Sequence, residues 1–396
     1  MLVNGERALA YVVTVDEVRE IEGADNIQLA LVGGWNLIVK RDEFKAGDKG
    51  VFFEIDSKLP ADDERFSFLE KKGYKIKTMK LNKFGVYSQG LLLPLSDFPE
   101  LGDAAVGTDL TKTLRVTYAE ADDNQRKGTG GDPNAKSKSM ASRHQKVFQT
   151  KPVRWLMRRS WGRKLMFLIF GNKKDKPRGF PSFVSKTDEE RVENQPWRVG
   201  DGKTYLATEK LDGTSCTYAL ERKPKKLFSK EKYEFYVCSR NVRQRDENQN
   251  CYHDHNIYWD LAFKYDIEQR LKDFLSERTD CRWVCIQGEG VGSVQKNPLK
   301  LKEDDLYVFN FITDADGRWN SEAGKRLIEE KFSMKWVPIL GERILPDTME
   351  ELKETADGPS AVNPDVMREG IVYRSLDGQD SFKNVSRKYL LKHQNA

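Results

Sequence analysis

The stretch "TEKLDGTS", residues 208–215, places a lysine two positions before an Asp-Gly pair, with an acid in front and two small hydroxyl residues behind. Asp-Gly is the commonest two-residue hairpin turn, so the stretch alone predicts a tight strand-to-strand reversal with a solvated ammonium at its mouth. Lys-x-Asp-Gly is also a way to present a lysine as a nucleophile. Four residues do not decide between these readings; their surroundings do.

Outward from it, short apolar runs recur: "TYLATEKL", "TSCTYAL", "EFYVCSR", "RWVCIQGEG", "LYVFNFI", "EGIVYRS" and "SFKNVS". Helical stretches are predicted between them, near 257–277 and 320–331. Together they predict a mixed α+β domain with several antiparallel strands. A charged residue stands where most of these runs end: Lys210, Arg240, Glu289, Glu369 and Lys383. Charges that several strands aim into one pocket must be paired or bind something charged. Three cations and two carboxylates suit a nucleoside triphosphate with a divalent metal.

The chemistry accounts for the residue types. A lysine with its reference pKa of about 10.4 is a poor nucleophile at neutral pH. Neighbouring cations and partial desolvation lower that value, and Lys383, with Arg240, is expected to supply the field for Lys210. Attack on the α-phosphorus of ATP would give a lysyl-AMP phosphoramidate and release pyrophosphate. Mg²⁺ keeps most of its waters and needs one or two carboxylates, so a sparse acidic set suffices. Glu369 is the metal candidate, Glu289 an acceptor for a ribose hydroxyl, and Phe309 a stacking partner for adenine.

The N-terminal part reads differently. Residues 7–58 and 85–95 alternate in short apolar runs, giving about five strands, the rhythm of a small closed barrel such as an OB-fold. A domain over 1–115 is expected, then a polar linker over 116–142. Residues 136–178 hold fourteen Lys or Arg and one acid, Asp175, interleaved with Trp155, Trp161, Phe148, Phe167 and Phe170. Cations beside aromatics form a plausible phosphate-backbone footprint, predicted to be a helical entry segment, 143–178, to the C-terminal domain, 143–396. In "SKTDEERVEN" (185–194), Thr187 or Asp188 is expected to cap a short helix.

The composition, 38% hydrophobic and 33% charged, is that of a soluble protein. No apolar run approaches the ~20 residues a bilayer span needs. Five cysteines without framework spacing and a start lacking a basic-then-apolar leader point to a reducing compartment, cytoplasmic or nuclear. "CYHDHN" (251–256) matches no standard zinc spacing and reads as a surface loop.

The ordered series EKLDG, SRN, GEG, YVFNF, EGIV and FKNVS resembles the covalent nucleotidyltransferase superfamily of ligases and capping enzymes. Within it the chain looks like the ATP-dependent RNA ligases that carry an N-terminal OB-fold. The stretches "ASRHQKVFQTKP" and "RGFPSFVSKTDEER" also look like that family. The resemblance implies an α+β nucleotidyltransferase domain, with ATP-grasp-like antiparallel sheets, preceded by an OB-fold β-barrel. It implies ATP and Mg²⁺ (or Mn²⁺) as cofactors, and Lys210 as the adenylated nucleophile, with Glu209, Leu211, Asp212 and Gly213 shaping its site. Arg240 would touch the AMP phosphate or the RNA end, Glu289 the ribose, and Phe309 the adenine. Glu369 would organise the metal, and Lys383 would bind the α-phosphate. Many relatives have two lysines two apart in the last motif; here Val385 or Ser381 stands in the second place, leaving Lys388 as a substitute or one lysine alone.

Only ten residues follow Ser386. DNA ligases and capping enzymes usually continue into a C-terminal OB domain, which favours RNA ligase, and ATP over NAD or GTP. The expected partner is RNA, including nicked duplex with RNA on the 3′-OH side, bound by a monomer away from membranes. A DNA ligase, a capping guanylyltransferase or a non-catalytic RNA-binding protein are the alternatives.

Overall fold

The computed structural model describes residues 1–3, 6–119, 179–224, 231–244, 256–378 and 380–393. Residues 120–178, which contain nearly all of the expected linker and the basic segment, lie outside the described residues, as do Cys251, His253 and His255. Residues 1–117 and 179–396 form one compact unit.

The N-terminal residues build two three-stranded antiparallel sheets and a hairpin. One sheet pairs β1 (Ala10–Thr14), β5 (Lys49–Phe53) and β8 (Leu91–Pro94), with β5 in the middle. The other pairs β2 (Glu17–Glu20), β3 (Ile27–Val32) and β4 (Trp35–Lys40) in sequence order. The hairpin is β6 (Thr78–Leu81) with β7 (Val86–Gln89). Strand β3 alternates half-buried and buried positions along its length, the period-2 signature of a strand with one face on the core. Val51, Phe52, Phe53, Phe66 and Phe98 are fully buried, and their edge-to-face and tilted ring pairs fill the interior. Eight strands of four or more residues, with four two-residue strands beside them, thus stand where about five were expected, because the run over 7–58 is cut into shorter pieces.

The C-terminal residues form two larger sheets. The five-stranded sheet runs β9 (Glu190–Arg191), β17 (Ser381–Val385), β16 (Gly370–Ser375), β10 (Thr204–Lys210) and β15 (Ile339–Ile344). The six-stranded sheet is built on β12 (Lys232–Cys238), β11 (Thr214–Lys223), β13 (Trp283–Val291) and β14 (Asp305–Thr313). Helices α1 (Ile257–Lys264), α2 (Ile267–Glu277) and α3 (Glu322–Phe332) cover the second sheet, burying Leu261, Leu271, Leu275, Ile328 and Phe332 against Leu220, Ile286 and Val308. Asn256 starts α1 as its N-cap, its side chain accepting from the Tyr258 amide. Two further helices, α4 (Met349–Thr355) and α5 (Arg387–His393), belong to the last part of the chain. Among the described residues no helix is long and apolar enough to cross a membrane.

Two expectations are corrected. Asp212-Gly213 does not close a hairpin: β10 pairs with β15 and β16, β11 pairs with β12 and β13, and the dipeptide carries the chain from one sheet to the other. Gly213 is required for close approach rather than for a left-handed turn, since a Cβ there would lie 2.3 Å from the Gly290 carbonyl oxygen. Residues 185–194 do not form the expected α-helix. Glu190 and Arg191 instead pair in parallel with Phe382 and Lys383, and one 3₁₀ turn follows at Val192–Asn194. Of these ten residues only Val192 is apolar, so the segment lacks the stripe that would hold a helix on the core.

The barrel is fastened to the C-terminal sheets through that same segment. The Trp35 indole donates to Asn194 Oδ1 at 2.7 Å, Asn194 Nδ2 donates to Glu54 at 2.9 Å, and the Gly34 amide donates to the Glu193 carbonyl at 2.7 Å. Gly34 has no room for a side chain, because a Cβ would lie 2.6 Å from Glu193 Cα. The buried Lys353 of α4 donates to the Gly34 carbonyl from the other side.

Candidate active site

Lys210 is the last residue of β10, and its Nζ donates to Glu369 Oε2 at 2.6 Å. Glu369 immediately precedes β16, the strand that pairs with β10 in register, Lys210 opposite Gly370. Glu289 arrives from the other sheet, on β13 opposite Ser215 of β11. The crossing at Asp212-Gly213 therefore brings the ends of two sheets together, with one ammonium among the carboxylates of Glu369, Glu289 and Asp212. Gly370 belongs to the same tight packing: a Cβ there would lie 2.2 Å from the Asn384 carbonyl oxygen.

The electrostatics are those of a carboxylate-rich site. Burial disfavours the Lys210 ammonium, but Glu369 and Glu289 outweigh it, and its pKa is raised. Burial pushes the Glu289 carboxyl up to about 8 and Glu369 up to about 7, each partly opposed by Lys210. The expectation that neighbouring cations lower the Lys210 pKa is thus corrected for the ligand-free site. Its nearest charged neighbours are acids, and they hold the proton on.

Lys383 has the opposite surroundings. It lies on β17 beside Arg191, and Arg7 of the barrel, Asp188, Arg191 and Lys383 line one cavity. Burial, Arg191 and Arg7 together bring its pKa down to about 7, against the opposing pull of Asp188. The Arg191 side chain is 6% exposed; its guanidinium reaches Asp56 of the barrel at 3.3 Å, while its Nε and Nη1 are buried without a partner. Arg240 donates through Nε to Asp188 Oδ2 at 3.0 Å and through Nη2 to Oδ1, a bidentate pair. Asp188, lowered in pKa by Lys383 and Arg240 in spite of its burial, therefore ties the two cations together.

The remaining candidates are placed as follows. Glu209 is buried, with Oε2 accepting from the Ala361 amide at 2.7 Å and Oε1 left unpartnered. Burial raises its pKa. The Leu211 side chain is in the core of the six-stranded sheet. Phe309 is the extra residue of a bulge on β14, since Gln287 faces Asn310 while Gly288 faces Val308. Its ring is half-buried, with the Arg374 guanidinium 5.9 Å from its centre. Lys388 is 59% exposed and paired with Asp357 at 2.9 Å, while Ser381 bonds Glu189. Arg7, Asp188 and Arg191 escaped sequence reading as site residues: their partners lie far away in the chain, and Asp188 read as a helix cap.

The donor set fits a nucleotide and a divalent cation. Glu209 Oε1 and the Arg191 Nε and Nη1 are buried without a hydrogen-bond partner, one acceptor and two donors that a polar ligand can satisfy. Among the described residues no three His, Cys, Asp or Glu form a ready-made metal cage. Mg²⁺ does not need one, because it binds through one or two carboxylates plus substrate phosphates.

Known proteins resemble the chain in sequence and fold. An OB-fold domain model matches residues 9–95 and an RNA ligase model matches residues 203–391. No curated protein matches the chain. The structure is similar to that of Naegleria gruberi RNA ligase with PPi, at 32% identity over 99% of this chain and 100% of that one, TM-score 0.71. It is similar to a mutant of the same ligase with ATP and Mn, at 32% identity over 98% and 100% of the chains, TM-score 0.72. A mutant with AMP and Mn gives 32% identity, 98% and 100% coverage and a TM-score of 0.71.

Proposed function

The chain belongs to the RNA ligase family and is an ATP-dependent RNA ligase that uses ATP and a divalent metal, and from that premise we propose how its residues divide the work. Lys210 is the nucleophile. Its Nζ attacks the α-phosphorus of ATP, forming the P–N bond of lysyl-AMP as the bond to pyrophosphate breaks. Glu369, 2.6 Å away, holds that ammonium in the resting site, and the proton must leave to water before attack. A divalent cation held by Glu369 would neutralise phosphate charge and weaken the carboxylate's grip on that ammonium. Lys383 binds the α-phosphate, and the unpartnered Arg191 nitrogens beside it fit further phosphate oxygens. Glu289 holds the ribose and Phe309 stacks on adenine. Glu209, with a free buried acceptor, suits the exocyclic amine of adenine over the carbonyl of guanine. Asp212 and Gly213 shape the loop, with Leu211 anchoring it in the core.

AMP then passes to a 5′-phosphate, and a 3′-hydroxyl displaces it to seal the strand. The substrate is RNA, with nicked duplex carrying RNA on the 3′-OH side as the preferred form, bound by a monomer in the cytoplasm or nucleus. We assign the barrel over 1–115 and the basic segment over 143–178 to holding RNA, with 116–142 as linker and 143–396 as the adenylyltransferase domain. The observation that carries this reading is the Lys210–Glu369 contact between neighbouring strands of one sheet, with a second lysine among arginines on the next strand. Removal of residues 1–115 is expected to weaken end joining more than self-adenylation; equal loss of both would contradict the modular assignment. Offering nicks with RNA or DNA on either side, in a sealing assay, tests the substrate.

A further inference from the structure

The C-terminal helix α5 touches the nucleophile loop directly. The Tyr389 hydroxyl donates to Asp212 Oδ2 at 2.7 Å, across 177 residues of sequence. Tyr389 is 4% exposed, and the His393 ring stacks on it with centroids 4.0 Å apart and planes at 14°. The helix is held at its start as well. The Tyr389 amide donates to Ser386 Oγ at 3.1 Å, and Ser386 Oγ donates to Asp357 at 2.6 Å. Arg387 forms a two-pronged pair with Glu350 of α4, and its guanidinium lies 4.4 Å from the centre of the Tyr87 ring in the barrel. Asp212 itself sits on a segment with little freedom on the other side, where Gly213 abuts the Gly290 carbonyl.

We propose that Tyr389 is a positioning residue for self-adenylation, acting through Asp212 to fix the carboxylate beside Lys210. The proposal rests on the assignment of Lys210 as nucleophile. The crossing between sheets carries no ladder hydrogen bonds of its own, so the Asp212 side chain needs an outside partner to keep one orientation. A buried phenol on a helix clamped by Ser386 and Arg387 supplies that partner without competing for the nucleotide. A hydrogen bond to a charged acceptor is worth about a tenfold or larger change in an equilibrium, which sets the expected size of the effect.

The test is a double-mutant cycle on the rate of lysyl-AMP formation, with Tyr389→Phe, Asp212→Asn and the pair. Tyr389→Phe is expected to slow the step about tenfold at saturating ATP, with the KM for ATP within about twofold of the parent. In the Asp212→Asn background, where the acceptor is uncharged, the same change should cost about threefold or less. His393→Ala separates packing from hydrogen bonding: it removes the stacked ring, keeps the phenol, and should stay within about twofold of the parent rate even where its unfolding midpoint falls. Equal cost of Tyr389→Phe in both backgrounds would overturn the proposal. So would an unaffected rate, or a His393→Ala enzyme as slow as Tyr389→Phe at matched stability. Absence of AMP from Lys210 in the parent enzyme would instead sink the nucleophile assignment, and this proposal with it.

Discussion

Lys210, the last residue of its strand, and Lys383, the middle residue of its own, are the same residue type in one sheet, and their surroundings push them in opposite directions. Around Lys210 stand Glu369, Glu289 and Asp212, which keep it charged. Around Lys383 stand Arg191 and Arg7, which with burial lower it to about 7. In the proposed mechanism the difference separates two jobs that a single pattern of basic residues would merge. The first lysine is stored as an ion pair and must be released to react. The second is a cation under strain from its neighbours, and an incoming phosphate relieves it. On that assignment the arginine side would take phosphate and the acidic side a divalent cation, so that binding ATP and metal would change both fields at once.

The largest effects should break the two lysines themselves. Lys210→Ala is expected to abolish transfer of labelled AMP from ATP to the protein, and chelation of divalent metal should do the same in the parent enzyme; retained labelling in either case contradicts the assignment. Lys383→Met, which removes a cation from the developing phosphoryl charge, and Glu369→Gln, which removes the carboxylate that would hold the metal, should each slow that transfer about a hundredfold or more. An intermediate effect is expected from Asp188→Asn, which loosens Arg240 and raises the net positive charge on the Lys383 side. It should slow adenylation about tenfold, measured as single-turnover labelling.

The smallest effect is on stability, and its sign differs between the two sides. Glu289 has a folded pKa raised from the ordinary carboxylate value to about 8, so its ionisation penalty grows as pH rises from about 4.5 and is complete above 8. Lys383 has a folded pKa lowered to about 7, so its penalty is complete below 7 and fades as pH rises toward about 10.5. Glu289→Gln should therefore raise the unfolding midpoint by a few degrees more at pH 9 than at pH 6. Lys383→Met should do so more at pH 6 than at pH 9. Differential scanning measurements giving the same pH trend for both would erase the contrast.

Much of this was legible in the sequence, for a reason that also marks where legibility stops. Strands 204–210, 214–223, 283–291 and 370–375 announce themselves through apolar runs, and the charges at their ends follow from strand ends meeting in space. The Asp-Gly pair misleads because turn chemistry is local, while the destination of the next strand is not. Nothing near 212–213 says that β11 will pair with β13 instead of β10. Asp188 and Arg191 were missed because their partners lie 52 and 135 residues away, Arg240 and Asp56, and only the packed sheets bring them together. The protonation of Lys210 was misjudged for the same reason. Its charge state depends on which of several neighbours stands at 2.6 Å, and order along the chain does not rank them.

The most direct test is to let the parent enzyme react with ATP and Mg²⁺ in the absence of RNA, digest it, and map the AMP-bearing peptide by mass spectrometry. The account predicts AMP on Lys210, on the peptide containing "TEKLDGTS". AMP on Lys383, or no covalent adenylate at all, would contradict it.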